Sequence, residues 1–395
     1  MKIARVQLDP IRTPRHTGDV SQHVIVTLQT DDGLIGYGEM ADLADLPVTM
    51  PDLDDFVHSL ENILVGLDPQ EYVHIDYVLG RVGMFRQIQA GVEMAVMDLV
   101  GKAHNLPLCR YLGGPTRTRI KVCYPLFRTY SDADVERNLA TVRRMLPQGF
   151  DVFRVYLGDD IDSDETFLAA LRAEFADRIH MQSFDYSGHL HPLDAYHSVV
   201  RLRRYYEPDY VESVAPRRDL DGTAGVRRRL DIPVSEHVRD AEDALAMAAA
   251  GAVDVINVAN ASTGGLLRSL RLFAAAELLG LRCILSTTQE TSLGTAAVAQ
   301  VGAAAVNVHY PTVAVGPLIY TVDVAANPIQ YEDGYMLVPM GPGLGIDVDA
   351  DKVAACRAAL SWSDYEFGRD LPDVHDRASK ADLIAGIGLK SLRKK

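Results

Sequence analysis

Apolar and polar residues alternate along the first forty residues, as they do in strands that bury one face. The alternating runs are KIARVQL, HVIVTLQT and LIGYGEM, and the turn sequence DDG at 31–33 separates the second from the third. This two-residue period predicts three antiparallel strands. Between 52 and 112 the apolar spacing changes to that of one helix face. The clearest helical stripe consists of Ile88, Val92, Ala95, Val96 and Leu99. Together these segments predict an α+β unit.

From 119 onwards short apolar runs alternate with helical segments, which is typical of a parallel sheet with crossover helices. The predicted strands are IKVCYPL, VFRVYL, IHMQSFD, YVESV, PVSEHV, VINVA and CILSTT, and the predicted helices cover 133–146, 164–175, 192–205, 240–250 and 264–279. So many strand–helix units favour a closed (β/α) barrel over an open sheet. No G-x-G-x-x-G or P-loop motif follows any strand, which removes the main reason to prefer a nucleotide-binding fold. The basic tail SLRKK is expected to be a frayed end.

Length and charge fit this picture and exclude some partners. The 395 residues suit a large barrel with an accessory domain, and 54 acidic against 39 basic residues give a net charge of −15. That charge argues against a nucleic-acid partner and against an anionic membrane surface. The four cysteines form no C-x-x-C pair, and no apolar run resembles a signal peptide or a membrane span. We therefore expect a soluble protein of the reducing cytoplasm.

In a barrel of this type, chemistry is expected at the carboxyl ends of the strands. The polar residues at these ends are Arg154, Tyr156, Ser183, Asp185, Glu212, Glu236, Asn257, Thr287, Thr288 and Glu290. Carboxylates inside a barrel are costly unless they are paired, hydrogen-bonded or bound to a cation. Oxygen ligands from separate strands suit Mg²⁺. The alternative is that some of these side chains face solvent at the starts of loops.

Several long motifs resemble one family over essentially the whole chain. They are TDDGLIGYGE at 30–39, AGVEMAVMDLVGKAHNLPLCRYLGG at 90–114, GG at 264–265, QETSLGTAA at 289–297 and DGYMLVPMGPGLGIDVD at 333–349. With these motifs the chain resembles the enolase superfamily, in the subgroup of mandelate racemase and muconate lactonizing enzyme. The resemblance implies a modified TIM barrel, (β/α)₇β, under an α+β capping domain built from both ends of the chain. The implied domains are an N-terminal cap at 1–118, the barrel at 119–322, and a C-terminal segment at 323–395 that completes barrel and cap.

The resemblance also implies a chemistry. In the family, three carboxylates after the third, fourth and fifth barrel strands hold Mg²⁺, which stabilises the enediolate formed when a base removes a proton next to a substrate carboxylate. Matching the motifs assigns Glu212 and Glu236 as metal ligands. Ser183 stands in place of the aspartate ligand and Asp185 in place of a neighbouring asparagine. A serine hydroxyl is a weaker Mg²⁺ ligand than a carboxylate, so an altered metal site is expected, with Asp185 reaching the ion directly or through water.

The bases of the family are changed as well. Its K-x-K pair on the second barrel strand reads Arg154 and Tyr156 here, and the base positions after strands six and seven read Ala259 and Ser286. Arginine stays protonated but can hold a carboxylate, so Arg154 is predicted to bind substrate and Tyr156 to act as acid or base. The alternative is that both residues only line a pocket that has lost its activity.

His237 follows Glu236 and by strand alternation should point away from the ion. A supporting position is therefore expected, and the alternative is a catalytic acid or base. Asn257, Thr288 and Glu290, at the strand ends, are candidate substrate-binding residues, and Glu290 also matches a glutamate of the family that is expected to orient its neighbours. The resemblance places His16 in a loop that covers the substrate in relatives, which makes it a specificity candidate; the alternative is a plain solvent loop.

These observations predict an isomerase or hydro-lyase that acts on a small carboxylate through a Mg²⁺-stabilised enediolate, in a homo-oligomer. One alternative is a non-catalytic relative that binds an anionic ligand. Another is a metal-free barrel in which Arg154 replaces the charge of the cation.

Overall fold

The computed structural model describes residues 1–16, 20–41, 52–158 and 160–357. Residues 358–395 of the predicted C-terminal segment, which include the basic tail, lie outside these ranges. No helix in the described ranges is long and apolar enough to cross a membrane.

An antiparallel sheet and three helices form the amino-terminal unit. Its strands are β1 (Ile3–Pro14), β2 (Val20–Thr30) and β3 (Ile35–Met40), and its helices are α1 (Leu53–Leu64), α2 (Tyr72–Arg81) and α3 (Arg86–Ala103). The sheet order is β1-β2-β3, so the three antiparallel strands predicted from the alternating pattern are confirmed. Helix α3 crosses the sheet at very close range, because a Cβ on Gly38 would lie 2.0 Å from the carbonyl oxygen of Gly91. Glycine at both positions therefore lets the backbones touch.

Seven parallel strands in sequential order form the barrel. They are β5 (Cys123–Leu126), β6 (Val152–Tyr156), β7 (His180–Asp185), β8 (Tyr210–Glu212), β9 (Val234–His237), β10 (Val255–Ala259) and β11 (Arg282–Ser286). The segment 308–313 closes the ring, because it bridges in parallel to β11 at Cys283 and Ser286 and, at Thr312, to Val122 beside β5. The structure thus confirms the modified (β/α)₇β barrel that the sequence predicts.

Helices cover the outside of the barrel. They are α4 (Leu108–Tyr111), α5 (Asp132–Met145), α6 (Ile161–Phe175), α7 (Pro192–Leu202), α8 (Leu220–Arg227), α9 (Ala241–Ala249), α10 (Asn260–Thr263), α11 (Leu266–Leu279) and α12 (Ser292–Ala304). All five predicted barrel helices are present within a few residues of their predicted bounds. Helix α8 has no counterpart in the prediction, because its eight residues include two glycines and carry a weak apolar stripe.

The last described part of the chain joins the two units. It contains α13 (Gly316–Ile319), β12 (Tyr331–Glu332), β13 (Tyr335–Leu337) and α14 (Ala350–Cys356), and the short strand β4 (Arg119–Lys121) pairs with β13. Helix α14 packs beside β1, and Ile11 bridges to Arg357. The carboxyl-terminal segment thus completes the cap, as expected.

Two buried carboxyl groups of the cap accept hydrogen bonds from the amino ends of two barrel helices. Glu39 accepts hydrogen bonds from the backbone N–H groups of Thr291 (2.9 Å) and Gly294 (2.8 Å), at the start of α12. Glu93 accepts from the backbone N–H of Leu266 (2.6 Å), at the start of α11. Carboxyl oxygens are favourable at these positions because they accept from the N–H groups that a helix start leaves unpaired. Gly265 leaves room for this contact, since a Cβ there would lie 2.3 Å from the Glu93 carboxylate.

Candidate active site

A cavity of about 400 Å³ opens at the carboxyl ends of the barrel strands. Its lining consists of Tyr156, Asp185, Ser187, Gly188, Ser213, Arg217, Glu236 and His237. Four of these residues were singled out from the sequence, and they come from three different strands. The barrel therefore brings together residues that are up to 81 positions apart in the chain, from Tyr156 to His237.

The strand register decides which side chains point inward. Arg154 pairs with Ser183, and Tyr156 pairs with Asp185, which in turn pairs with Glu212. Residues paired in neighbouring parallel strands face the same side, and every second residue shares that side. Arg154, Tyr156, Ser183, Asp185 and Glu212 are therefore all inward residues, as the sequence predicts.

The guanidinium group of Arg154 lies between two carboxylates. Its Nη2 atom donates to Oδ2 of Asp185 and to Oε1 of Glu212, at 3.2 Å from the latter. Only 3 % of the Arg154 side chain is exposed. Burial alone would lower the pKa of Arg154, but the charge of Glu212, together with smaller contributions from Tyr156 and Tyr210, raises that pKa well above its usual range. The group is a permanent positive charge.

Glu212 is the centre of the hydrogen-bond network. Besides Arg154, its Oε1 atom receives the side-chain amide of Asn257 at 3.2 Å and lies 3.0 Å from Nε2 of His237. Burial alone would raise the pKa of Glu212, but the positive charge of Arg154 and the hydrogen bond from His237 hold it well below its usual range. Ser286 donates to the amide oxygen of Asn257 and so fixes the amide orientation. Glu212 is therefore a carboxylate anion with three donors on one oxygen.

His237 faces the site, so the expectation that it points away is wrong. Glu212 pairs with Ser235, and Asn257 pairs with His237, which makes Ser235 and His237 the inward residues of β9. Burial alone would lower the pKa of His237, but the contact with Glu212 outweighs it and raises the pKa above its usual value. The imidazole is 39 % exposed and borders the cavity.

Glu236 occupies the other face of β9 and turns its carboxyl group back around the strand end. That group accepts from the backbone N–H of His237 (2.7 Å) and the hydroxyl of Ser213 (3.0 Å). Burial raises the pKa of Glu236. The inward position on the fifth barrel strand therefore belongs to an imidazole, and the alignment of Glu236 with the family's ligand does not agree with the register.

Tyr156 sits beside two guanidinium groups. Cζ of Arg154 lies 4.7 Å, and Cζ of Arg128 5.6 Å, from the centre of its ring, within the range of cation–π contacts. Arg128 is buried and was missed by the sequence reasoning. The available signal was its position two residues past Leu126, where the first barrel strand ends. The sequence reasoning also missed Arg217, which lies in the segment after β8. Arg217 borders the cavity and donates to the carbonyl oxygen of His237 at 2.8 Å.

The predicted substrate-binding residues lie in three places. Asn257 is fully buried against Glu212. Thr288 donates to Glu290, whose pKa is raised by burial, so these two side chains pair with each other. His16 is exposed and borders a separate cavity of about 260 Å³, together with Phe127 and Ile319. The structure therefore brings Asn257 to the site and leaves His16 at another cavity.

The comparisons with known proteins agree over almost the whole chain. The model for the family "Mandelate racemase / muconate lactonizing enzyme, N-terminal domain" matches residues 1–113, and the model for "Enolase C-terminal domain-like" matches residues 138–352. The structure of muconate lactonizing enzyme from Pseudomonas putida superimposes with a TM-score of 0.82 at 23 % identity, covering 91 % of this chain and all of that one. This likeness supports the fold.

Two curated relatives extend the comparison. The N-succinyl-L-Arg/Lys racemase of Bacillus cereus is 25 % identical over 367 residues, which cover 89 % of this chain and 96 % of the relative. The L-Ala-D/L-Glu epimerase of Bacillus subtilis is 27 % identical over 367 residues, which cover 88 % of this chain and 97 % of the relative. The similarity therefore spans cap and barrel together.

Proposed function

The chain belongs to the mandelate racemase/muconate lactonizing enzyme family of the enolase superfamily, and we propose that it moves a proton next to the carboxylate of a small substrate. It is an isomerase-type enzyme of that family, whose named relatives are racemases, epimerases and cycloisomerases. The reaction we propose is an isomerisation or an elimination of water.

One observation carries the proposal: Tyr156 and His237 border the same cavity from the second and fifth barrel strands. A phenol and an imidazole can each take or give a proton, and a reaction at the α-carbon needs one group for removal and one for return. His237 carries its proton to higher pH because of Glu212, which suits it to the role of the acid. Tyr156 is then the partner that removes the α-proton: its phenolate oxygen takes the proton and becomes the phenol.

Fixed charges favour this chemistry. Arg154 lies between the carboxylates of Asp185 and Glu212, and Glu212 also contacts His237. Negative charge that develops on the substrate carboxylate is stabilised by positive groups already held in position. Arg217, which is held by Asp243, borders the cavity, and Arg154 contacts Asp185, which borders it too.

Magnesium is the cofactor that enzymes of this family generally use, and its site was predicted at Ser183, Asp185, Glu212 and Glu236. The donors present do not fit that ion. Ser183 is neutral, and the two inward carboxylates, Asp185 and Glu212, already accept from Arg154. The inward residue of β9 is His237, whereas Mg²⁺ prefers several oxygen ligands in octahedral geometry. We therefore derive no step through a metal.

We also propose that the protein works as a cytoplasmic homo-oligomer, without nucleic-acid partners. Support for an oligomer comes from exposed apolar side chains on and beside α2, namely Val73, Tyr77 and Val82, which are 53 %, 62 % and 52 % exposed. Sedimentation of wild type and of a Tyr77→Lys variant tests this, and a monomeric wild type would contradict it.

Solvent-deuterium exchange tests the proposed reaction. Each member of a panel of small chiral carboxylates is incubated with the protein in D₂O, and deuterium at the α-carbon is followed by NMR. We expect exchange with at least one compound, and its loss in Tyr156→Phe and His237→Gln. Matched controls are Tyr77→Phe and His74→Gln, which lie on the exposed side of α2. A panel without any exchange would contradict the proposal and favour a non-catalytic protein that binds an anionic ligand.

A further inference from the structure

We propose that Arg154 is the resident cation of this site and that the protein binds no divalent metal there. The inference concerns the same cavity as the proposed function and rests on it for the role of that charge. Its test measures metal binding without turnover, so a failure of one proposal is distinguishable from a failure of the other.

The first argument is the position of the guanidinium group. It is buried among the carboxylates that would otherwise surround an ion, and it donates to both Asp185 and Glu212. A buried carboxylate needs a positive partner or hydrogen-bond donors, and here one arginine serves two carboxylates. A divalent ion at Asp185 and Glu212 would have to displace Arg154 or share a low-dielectric space with another positive charge.

The second argument is that one carboxylate oxygen of Glu212 is already occupied by hydrogen-bond donors. Oε1 already accepts from Arg154, Asn257 and the imidazole of His237. Metal coordination at that oxygen would break these three contacts. Oε2 of Glu212, Nε of Arg154 and the hydroxyl of Ser183 are buried without a hydrogen-bond partner, so it is Oε1 that the three donors occupy.

The third argument is the set of side chains at the positions where the family has its metal ligands. Position 183 carries a neutral serine, and the inward residue of β9 is His237. Two negative charges are thus absent from the ligand positions, and one fixed positive charge is present on β6. Within the described residues no group of three or more His, Cys, Asp or Glu side chains is arranged to hold a metal ion. The inward carboxylates, Asp185 and Glu212, are therefore grouped around a guanidinium.

The test uses Mn²⁺ as the probe, because its free form gives an electron paramagnetic resonance signal that disappears on binding. Purified, chelator-treated wild type is titrated with Mn²⁺ up to the millimolar range. The same titration is made with Ser183→Asp, with Arg154→Met, and with the double variant Arg154→Met/Ser183→Asp. Arg268→Met is the matched control, since it also removes an arginine from a buried carboxylate, that of Asp76.

We expect wild type, Ser183→Asp and Arg268→Met to leave Mn²⁺ free, and the double variant to bind it stoichiometrically. Stoichiometric binding by wild type that Glu212→Gln abolishes would overturn the inference. So would a double variant that is folded by circular dichroism but does not bind Mn²⁺. If the double variant does not fold, the wild-type titration decides alone: free Mn²⁺ supports the inference and stoichiometric binding overturns it.

Discussion

The rings of Phe127 and Tyr156 stack with their planes within 1° of parallel and their centroids 5.9 Å apart. Phe127 directly follows the first barrel strand and borders the cavity of about 260 Å³ that includes His16. Tyr156 borders the cavity of about 400 Å³ that includes His237. The stacked pair therefore forms a wall between two cavities. Because Phe127 holds one face of the phenol and the guanidinium of Arg154 lies near the ring, the Tyr156 hydroxyl has a fixed position beside the substrate space.

Replacing Tyr156 by phenylalanine removes only that hydroxyl. The stack and the cation–π contacts remain, so we expect the free energy of unfolding to stay within about 0.5 kcal/mol of wild type. The rate of α-proton exchange should fall by about 10²–10⁴-fold, the usual contribution of a positioned acid or base. Urea unfolding and exchange kinetics measure the two quantities. An active Tyr156→Phe protein would exclude the phenol as the base.

Replacing Arg154 by methionine leaves two buried carboxylates without their cation. We expect the variant to lose about 3–5 kcal/mol of unfolding free energy, as in other buried ion pairs from which one partner is removed. Arg203 provides the control, since its ion pairs with Glu207 and Asp231 lie at the surface and its removal should cost about 0–1 kcal/mol. Equal losses for the two variants, measured by urea unfolding, would mean that Asp185 and Glu212 are stable without the arginine.

The pH dependence of the reaction should report on His237. Burial alone would lower its pKa, but the hydrogen bond and charge of Glu212 raise it, so the imidazolium persists to higher pH than that of a free histidine. We expect the rate to fall as the pH rises through this raised pKa. The fall should disappear in His237→Gln, which is slow at every pH. Profiles of kcat/KM against pH for the two proteins measure this, and an unchanged alkaline limb in the variant would exclude His237 as its cause.

A second histidine–carboxylate pair predicts a pH-dependent stability. Nδ1 of His23, on β2, lies 3.2 Å from Oε1 of Glu39, on β3, within the sheet of the cap. Burial raises the pKa of Glu39 to about 8, with a smaller contribution from Glu290, and burial lowers the pKa of His23 to about 3, with a smaller contribution from Arg15. The pair therefore holds a single proton between these values.

The sign of the effect follows from the unfolded values of 4.5 for glutamate and 6.5 for histidine. The contribution of Glu39 is lost as the pH rises from 4.5 to about 8, and that of His23 is lost as the pH falls from 6.5 to about 3. The two slopes oppose each other between 4.5 and 6.5. We expect stability to decline from pH 6.5 to 8, and Glu39→Gln to remove most of that decline. Urea midpoints across this range test it, and an identical slope in the variant would assign the decline to another group.

The fold could be predicted because its signals repeat. The alternation in the first forty residues predicts a strand several times over, and the strand–helix unit recurs along the barrel. A single segment that is predicted wrongly, such as α8, therefore does not change the predicted fold. The site depends on single positions. One residue of register on β9 decides whether Glu236 or His237 faces the cavity, and alternation alone does not reveal which residue is inward.

The electrostatic roles of the site residues could not be predicted from the sequence pattern either. Arg154 was predicted to hold the substrate, and whether it does stays a prediction. Its contacts with Asp185 and Glu212 depend on three strands meeting in space. Arg128 approaches Tyr156 from the end of another strand, so no local motif connects the two residues. The alternative of a metal-free barrel was available from the sequence because Ser183 replaces a carboxylate ligand and Arg154 carries a fixed positive charge, and it stays a prediction.

The contacts of Glu39 and Glu93 with the starts of α12 and α11 limit how new members of such a family can arise by recombination. A cap grafted from another protein must bring a carboxylate to each of these helix starts, and the recipient barrel must keep a glycine at position 265 to receive one of them. A graft that lacks either acceptor leaves buried N–H groups unpaired at the seam. Exchange of whole caps is therefore restricted to barrels whose α11 and α12 can receive both carboxyl groups.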